Sequence, residues 1–213
     1  MNRDTDHRAR ATPPGLVLAS ASPSRLHVLR EAGLDPEVVV SGVDEEIDGL
    51  GTANAVIVLA DRKASAVAEM CDGKLVLGCD SMLDLDGVAI GKPLSAADAT
   101  NLWLRMATRH ASLYTGHCLI DTRTGRRISR VAGTIVRFGD PSESEISAYV
   151  ASGEPLGLAG AFSLRGRSAA FIEGIDGDPS NVLGVSLPLL RQMLAEIGVN
   201  ITDLWSRSLV AGR

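Results

Sequence analysis

The sequence predicts an α/β protein built on a mixed, twisted sheet. Short apolar runs alternate with segments of helical periodicity, which is the pattern of an α/β fold. Asp86-Gly87 and Thr124-Gly125 each separate two strand-like runs, so part of the sheet is antiparallel. The 213 residues suffice for one substantial domain, and no repeat or linker-like segment divides them.

Local signals justify the elements along the chain. Ser22 and Pro23 are typical of a helix start, and Gly33 of its end. A buried strand is indicated by the apolar run 74–79. The segment 140–145 carries a capping-box pattern. The predicted order is strand 16–20, helix 23–32, strand 36–40, helix 53–71, strand 74–79, hairpin 81–90, helix 95–107, strands 110–121 and 127–138, helix 142–151, strand 169–175 and helix 187–197.

Net charge, apolar runs and cysteine content limit the classes of protein to which this chain could belong. The net charge of -5 argues against binding a nucleic-acid polymer, which needs a basic face, but not against a nucleotide. Because no apolar run reaches about 18 residues and the first fifteen residues do not form a secretory signal, we expect a cytoplasmic protein without a membrane segment. The three cysteines fit buried free thiols. We predict a disordered lead-in over 1–15, one domain over 16–200 and a tail over 201–213.

The first strand and helix predict an anion site. A strand that leads into a helix N-terminus presents unpaired N–H groups and the positive end of the helix dipole. Ser20, Ser22 and Arg25 would add hydroxyls and a guanidinium suited to phosphate oxygens. An ordinary capped helix with a surface arginine explains the same residues equally well.

Three charged residues could complete a site around Asp80, which follows the predicted strand 74–79. Lys63 falls on the apolar stripe of its helix and must reach either solvent or an anion. Lys92 follows the hairpin, and Glu45 lies in an acidic loop from which it could join Asp80 in holding Mg²⁺ or Mn²⁺. Each also has an ordinary interpretation, as a turn aspartate, a snorkelling lysine, a surface lysine or a solvated loop. Together they suit metal-assisted hydrolysis of a phosphoanhydride.

Several motifs in order resemble the Maf (septum-formation) family of nucleoside triphosphate pyrophosphatases, over about residues 16–194. The motifs are LASASPSR (18–25), VDEE (43–46), the Lys63 helix, GCDSML (78–83), IGKP (90–93), YTGH (114–117), SGEPLGLAGAF (152–162) and IDGDPSNVLGVSLPLL (175–190).

The resemblance implies a fold of two lobes around a central cleft, a homodimer, and metal-dependent hydrolysis of a nucleoside triphosphate to the monophosphate and pyrophosphate. It implies that Asp80 is the catalytic aspartate, and that Ser22, Arg25, Glu45, Lys63 and Lys92 line the phosphate and metal site. At the family's three specificity positions this chain has Ser24, Ser81 and Arg165, which match neither the dTTP/UTP nor the 7-methyl-GTP pattern, so the base stays open.

Two alternatives remain. A nucleotidyltransferase would need a glycine-rich loop before its arginine, and the segment 19–23 lacks those glycines. A nucleotide-binding regulator of cell division could keep the pocket without turnover.

Overall fold

A computed structural model describes residues 14–47 and 49–206. The predicted lead-in therefore lies almost entirely outside the described residues, as does the end of the predicted tail, 207–213. The strands are β1 (Leu16–Leu18), β2 (Glu37–Val38), β3 (Leu75–Leu85), β4 (Val88–Ile90), β5 (His110–Asp121), β6 (Arg126–Phe138) and β7 (Ile172–Asp176). The helices are α1 (Pro23–Glu31), α2 (Thr52–Ala68), α3 (Ala96–Met106), α4 (Glu143–Ala151), α5 (Pro179–Val182) and α6 (Leu187–Glu196), and four short 3₁₀ segments cover Glu154–Gly157, Ala159–Ala161, Arg167–Phe171 and Ile201–Leu204.

The strands form one mixed sheet of seven, which confirms the predicted α/β class. Its order is β2-β1-β3-β5-β6-β7, with β4 paired to β3. β1 runs parallel to β2 and β3, whereas β5, β6 and β7 continue the sheet as antiparallel neighbours. The parallel part and the antiparallel part meet at β3, which is therefore central to the fold.

One edge of β3 contains a gap between two partner strands. β1 pairs with Leu75–Leu77, and β4 pairs with Leu83–Leu85 on the same edge. Residues 78–82 lie between these two pairings, and we call this stretch the notch. The chain that leaves β1 and the chain that leaves β4 both start beside the notch, so the topology concentrates their side chains there.

The core is divided between the two ends of β3. Beyond the notch, Trp103 lies at the centre of an aromatic cluster and makes edge-to-face contacts with Phe138, Tyr149 and Phe171 at 5.6–5.7 Å between ring centroids. Before the notch, aliphatic side chains of β1, α1 and α6 pack on one face of the sheet, and α2 packs on the other. This division agrees with the expected two lobes.

Helix α2 approaches the sheet unusually closely at two glycines. A Cβ atom at Gly78 would lie 2.3 Å from the Ala60 carbonyl oxygen, and one at Gly116 would lie 2.1 Å from the Val56 carbonyl oxygen. Neither position can hold a larger residue without displacing the helix. These glycines therefore set the distance between α2 and the notch.

The sequence signals at turns and caps are confirmed. The Ser22 hydroxyl accepts a hydrogen bond from the Arg25 N–H at the start of α1. Asp86 and Gly87 both have positive φ, as a tight hairpin requires. Ser142 and Glu145 form the predicted capping box, and the Ser142 backbone N–H holds the pKa of Glu145 below its usual value.

Several predicted elements differ from the structure. Strand 16–20 ends at Leu18. The predicted break at Asp80 is wrong, because 75–85 form one continuous strand. The predicted strand 36–40 shortens to Glu37–Val38, and helix 53–71 ends at Ala68. The first part of strand 169–175 is the 3₁₀ segment Arg167–Phe171, and β7 follows it.

The described residues continue to 206, beyond residue 200, which is the predicted end of the domain. Ile201 and Leu204 pack against the aliphatic core, and Trp205 pairs with Leu34 through an isolated bridge. The partly buried side chains of Ile201 and Leu204 hold this segment against the domain, whereas Trp205 is largely exposed. Cys79 and Cys118 are buried free thiols as predicted, and burial raises the pKa of each to about 12; Cys71 is partly exposed.

Candidate functional site

A lysine ammonium lies between two carboxylates at the notch. Lys63 Nζ is 2.6 Å from Asp80 Oδ1 and 2.6 Å from Glu45 Oε1. Lys63 and Asp80 are each only 7% exposed, whereas Glu45 is open to solvent. Lys63 therefore points inward and pairs with an anion, which is the carboxylate of Asp80.

The local structure explains this arrangement. Lys63 shares the buried stripe of α2 with Leu59 and Val67, so its side chain points at the sheet. The close packing of α2 at Gly78 brings its ammonium within reach of Asp80, two residues further along β3. Asp80 can stay inside a buried strand because this cation compensates its charge, which is the physical reason that the strand does not break there.

The loop that carries Glu45 is tied to the same helix. Arg62 Nη1 donates hydrogen bonds to the carbonyl oxygens of Asp44 and Glu46, at 3.4 and 3.0 Å. The hydrogen bond from Lys63 lowers the pKa of Glu45. Burial opposes this with the next largest effect, and the charges of Lys63, Lys92 and Arg25 lower the pKa further. Glu45 therefore contacts Lys63 directly and lies within the electrostatic influence of Lys92 and Arg25.

Arg25 of α1 is held at the notch from three directions. Its Nη1 donates to Ser20 Oγ at 3.0 Å, its Nη2 to Ser81 Oγ at 3.1 Å, and its Nε to the Gly184 carbonyl at 3.1 Å. Gly184 has φ +104°, and a Cβ atom there would lie 3.0 Å from Arg25 Cγ. A guanidinium fixed in this way is suited to a planar, bidentate contact with phosphate oxygens.

Alternation along β3 accounts for the two sides of the site. Asp80 points to the α2 face of the sheet and contacts Lys63, whereas Ser81 points to the α1 face and contacts Arg25. Neither β1 nor β4 pairs with β3 at the notch. Side chains from both faces of the sheet can therefore meet there.

The other candidate residues have mixed surroundings. Ser22 caps α1, and its N–H donates to Ser20 Oγ at 3.2 Å. The Ser24 hydroxyl donates to the Leu183 carbonyl at 2.8 Å. Lys92 is exposed just after β4 and lies near enough to affect the pKa of Glu45. Arg165 pairs with Glu31, at the opposite end of α1 from Ser22 and about 13 Å along the helix axis.

Three buried polar residues near the notch were not among the candidates. Thr115 and His117 of β5 and Asn181 of α5 are fully buried and hydrogen-bonded to one another's segments. A signal existed in the sequence, because the polar residues at 115 and 117 alternate within the strand and therefore share one face of the sheet.

The notch offers two carboxylates to a divalent cation. Within residues 14–47 and 49–206, no three His, Cys, Asp or Glu side chains cluster as a complete metal site. Glu45 and Asp80 do converge on one cation, the Lys63 ammonium. Two carboxylates fit Mg²⁺ or Mn²⁺, which commonly complete their coordination with water and substrate phosphates.

The family profile of the Maf-like protein matches residues 15–197. The chain belongs to the Maf-like family. A relative from Streptomyces coelicolor named nucleoside triphosphate pyrophosphatase is 59% identical over 194 residues, which are 90% of this chain and 94% of the relative. One of the same name from Mycobacterium sp. (strain JLS) is 50% identical, covering 90% of this chain and 98% of the relative.

Among solved structures, the Staphylococcus aureus Ham1 protein aligns with 59% of this Maf-like chain and 72% of its own, at 18% identity and a TM-score of 0.42. Across the part of this chain that the structure describes, no helix is both long enough and apolar enough to cross a membrane.

Proposed function

We propose that this protein is a nucleoside triphosphate pyrophosphatase, which hydrolyses its substrate to the monophosphate and pyrophosphate. The relatives' names and the family membership support this activity. The observation that carries it is the convergence of Lys63, Arg25 and two carboxylates on one notch in the sheet. Three anionic phosphoryl groups need fixed cations, and in-line attack by water needs a buried base.

Asp80 is proposed as the general base. Water attacks the α-phosphorus, its proton passes to the Asp80 carboxylate, and the bond between the α-phosphorus and the bridging oxygen to the β-phosphate breaks. The departing pyrophosphate retains the electron pair of that bond. Lys63 holds Asp80 in position through the 2.6 Å hydrogen bond.

Arg25 and Lys92 are proposed to neutralise the triphosphate and the leaving pyrophosphate. Ser20 and Ser22 lie at the N-terminus of α1, where hydroxyls and backbone N–H groups can receive phosphate oxygens. All of these groups surround Glu45 or Arg25, so one bound triphosphate chain could contact them together.

Glu45 and Asp80 are the residues that would hold Mg²⁺ or Mn²⁺, which when bound would offset the charge of the phosphate oxygens. Lys63, which contacts both of these carboxylates, would add a further positive charge for the phosphate oxygens. Metal dependence is tested by comparing turnover with added metal and with chelator.

Ser24, Ser81 and Arg165 are proposed as the positions that select the base. Ser81 accepts a hydrogen bond from Arg25, and Ser24 donates one to the carbonyl of Leu183, which precedes the Gly184 that holds Arg25. Both contacts support a role close to the substrate. Arg165 would have to leave Glu31 to reach the same place. We further propose a cytoplasmic homodimer that binds neither nucleic-acid polymers nor membranes, as the family resemblance and the net charge of -5 suggest.

Pyrophosphate release from a panel of ribo- and deoxyribonucleoside triphosphates tests the proposal. The parent protein should release pyrophosphate with at least one nucleotide, and Asp80→Asn should lower kcat by orders of magnitude. Nucleotide binding without release would instead indicate the non-catalytic regulator. An Asp80→Asn variant as fast as the parent would exclude Asp80 as the base.

A further inference from the structure

Two buried polar side chains of β5 face the turn between α5 and α6. Thr115 Oγ1 donates a hydrogen bond to the Asn181 carbonyl at 3.1 Å. His117 Nε2 accepts one from the Ser186 N–H at 2.8 Å, and its Nδ1–H donates to the Thr115 carbonyl at 3.1 Å. Both ends of the turn are therefore fixed to the sheet by side chains that are 0% exposed.

The same turn carries carbonyl groups that hold α1. Arg25 Nε donates to the Gly184 carbonyl, and Ser24 Oγ donates to the Leu183 carbonyl. A shift of the turn would move both acceptors. Arg25 thus depends, through Gly184, on the anchor that Thr115 provides at Asn181.

Thr115 reaches Arg25 by a second route, through Ser81. Ser81 Oγ lies 2.9 Å from Thr115 Oγ1 and accepts a hydrogen bond from Arg25 Nη2 at 3.1 Å. A threonine hydroxyl has one proton, and a carbonyl can only accept, so the Thr115 proton is directed at Asn181. Ser81 must then donate its own proton to Thr115, which leaves its lone pairs facing the Arg25 guanidinium.

The result is a directed chain of hydrogen bonds in which each hydroxyl has one possible orientation. It runs from Arg25 Nη2–H to Ser81, from Ser81 to Thr115, and from Thr115 to the Asn181 carbonyl. Buried chains of this kind resist rearrangement, because any reversed hydroxyl leaves a polar group without a partner. The chain terminates at Arg25, on the side that faces the notch.

We propose that Thr115 is a positioning residue that fixes the Arg25 guanidinium, both through Ser81 and through the α5–α6 turn. The consequence for turnover rests on the proposed function, in which Arg25 binds the substrate's phosphates. The positioning itself does not depend on the identity of the ligand.

The test compares Thr115→Val, which keeps the shape but removes the hydroxyl, with Thr115→Ser, which keeps the hydroxyl. Thr134→Val is the matched control. Thr134 is also a buried strand threonine with two hydrogen bonds to the same part of the chain, donating to the Asp178 carbonyl at 3.1 Å and accepting from Asn181 Nδ2 at 3.0 Å. Thermal unfolding of all three variants sets a temperature at which each is folded.

The first readout is solvent exchange of the Arg25 Nε–H in ¹⁵N NMR spectra of the ligand-free protein, assigned by its loss in Arg25→Lys. We expect slow exchange in the parent, Thr115→Ser and Thr134→Val, and exchange about tenfold or more faster in Thr115→Val. Equal exchange in Thr115→Val and Thr134→Val would overturn the inference, because removal of either hydroxyl would then have the same effect.

The second readout is steady-state kinetics with the preferred nucleotide. Thr115→Val should raise KM about tenfold relative to Thr134→Val, with recovery in Thr115→Ser. Fast Arg25 exchange with an unchanged KM would support the positioning and refute phosphate binding by Arg25. Absence of pyrophosphate release from the parent would refute the proposed function, while the NMR comparison would still decide the positioning.

Discussion

Replacement of Lys63 by methionine isolates the electrostatic role of the buried ammonium. Lys63→Met retains most of the apolar stem that packs between α2 and the sheet, and it removes the charge between Asp80 and Glu45. Asp80 is then a carboxylate at 7% exposure that has lost its cation. Loss of one partner from a buried ion pair costs about 3–5 kcal/mol, because the remaining charge stays desolvated.

The lower end of that range applies here. Glu45 has a side chain 63% exposed, so water replaces its lost contact at little cost. We therefore expect Lys63→Met to lower the free energy of unfolding by about 3 kcal/mol. For a chain of this size, such a loss corresponds to a decrease in Tm of roughly 6–12 °C.

Urea unfolding at neutral pH with chelator present measures the loss without interference from bound metal. Lys74→Met is the control, because Lys74 forms an ion pair with Glu37 at the protein surface and should change stability little. In the Asp80→Asn background, Lys63→Met should cost much less, since no buried carboxylate is left unpaired. A loss below about 1 kcal/mol, or the same loss in both backgrounds, would refute the electrostatic explanation.

Two further predictions concern the packing of α2 and the charge state of His117. Gly116→Ala forces a Cβ to within 2.1 Å of the Val56 carbonyl oxygen. It should lower the free energy of unfolding by about 1–3 kcal/mol or more, and it should reduce activity by moving Lys63. Gly157→Ala, where a Cβ meets open space, is the control, and equal stabilities of the two variants would contradict the reasoning. Burial lowers the pKa of His117 from 6.5 to about 4. Between these values the unfolded chain binds the proton and the folded chain does not, so stability falls as pH decreases through this window. From pH 6.5 to 5 this loss is about 1.6 kcal/mol. As pH decreases from 6.5 to 5, urea unfolding should show the stability difference between parent and His117→Gln decreasing by that amount. A stability difference that does not change with pH would exclude this role of His117.

Local chemistry made much of the fold predictable from the sequence. Ser22-Pro23, Asp86-Gly87 and the capping box at Ser142 specify their caps and turns through contacts within a few residues. The continuity of β3 was not predictable in this way. A buried aspartate in the middle of an apolar strand is favourable only when a cation from another element meets it, and Lys63 lies 17 residues away in the chain.

The site was predictable where charge was the signal and unpredictable where hydrogen bonding was. Lys63 on an apolar stripe and Asp80 beside an apolar run are anomalies of burial, which a single sequence displays. Thr115 and Asn181 are ordinary polar residues until their partners are known, and those partners are backbone carbonyls and hydroxyls distant in sequence. Arg25 and Gly184, which are in contact, are 159 residues apart.

The notch in β3 explains why several short motifs, which are distant in sequence, contribute residues to one site. β1 ends at Leu18, opposite Leu77 of β3, and β4 ends at Ile90, opposite Leu83. The chain segments after β1 and after β4 therefore both lie beside Asp80 and Ser81. The α5–α6 turn adds the third side through β5, which pairs with β3 along the opposite edge. A longer β1 would cover the gap with backbone hydrogen bonds and exclude any ligand from it. The short first strand is therefore a requirement of the proposed site, as much as the charged side chains around it.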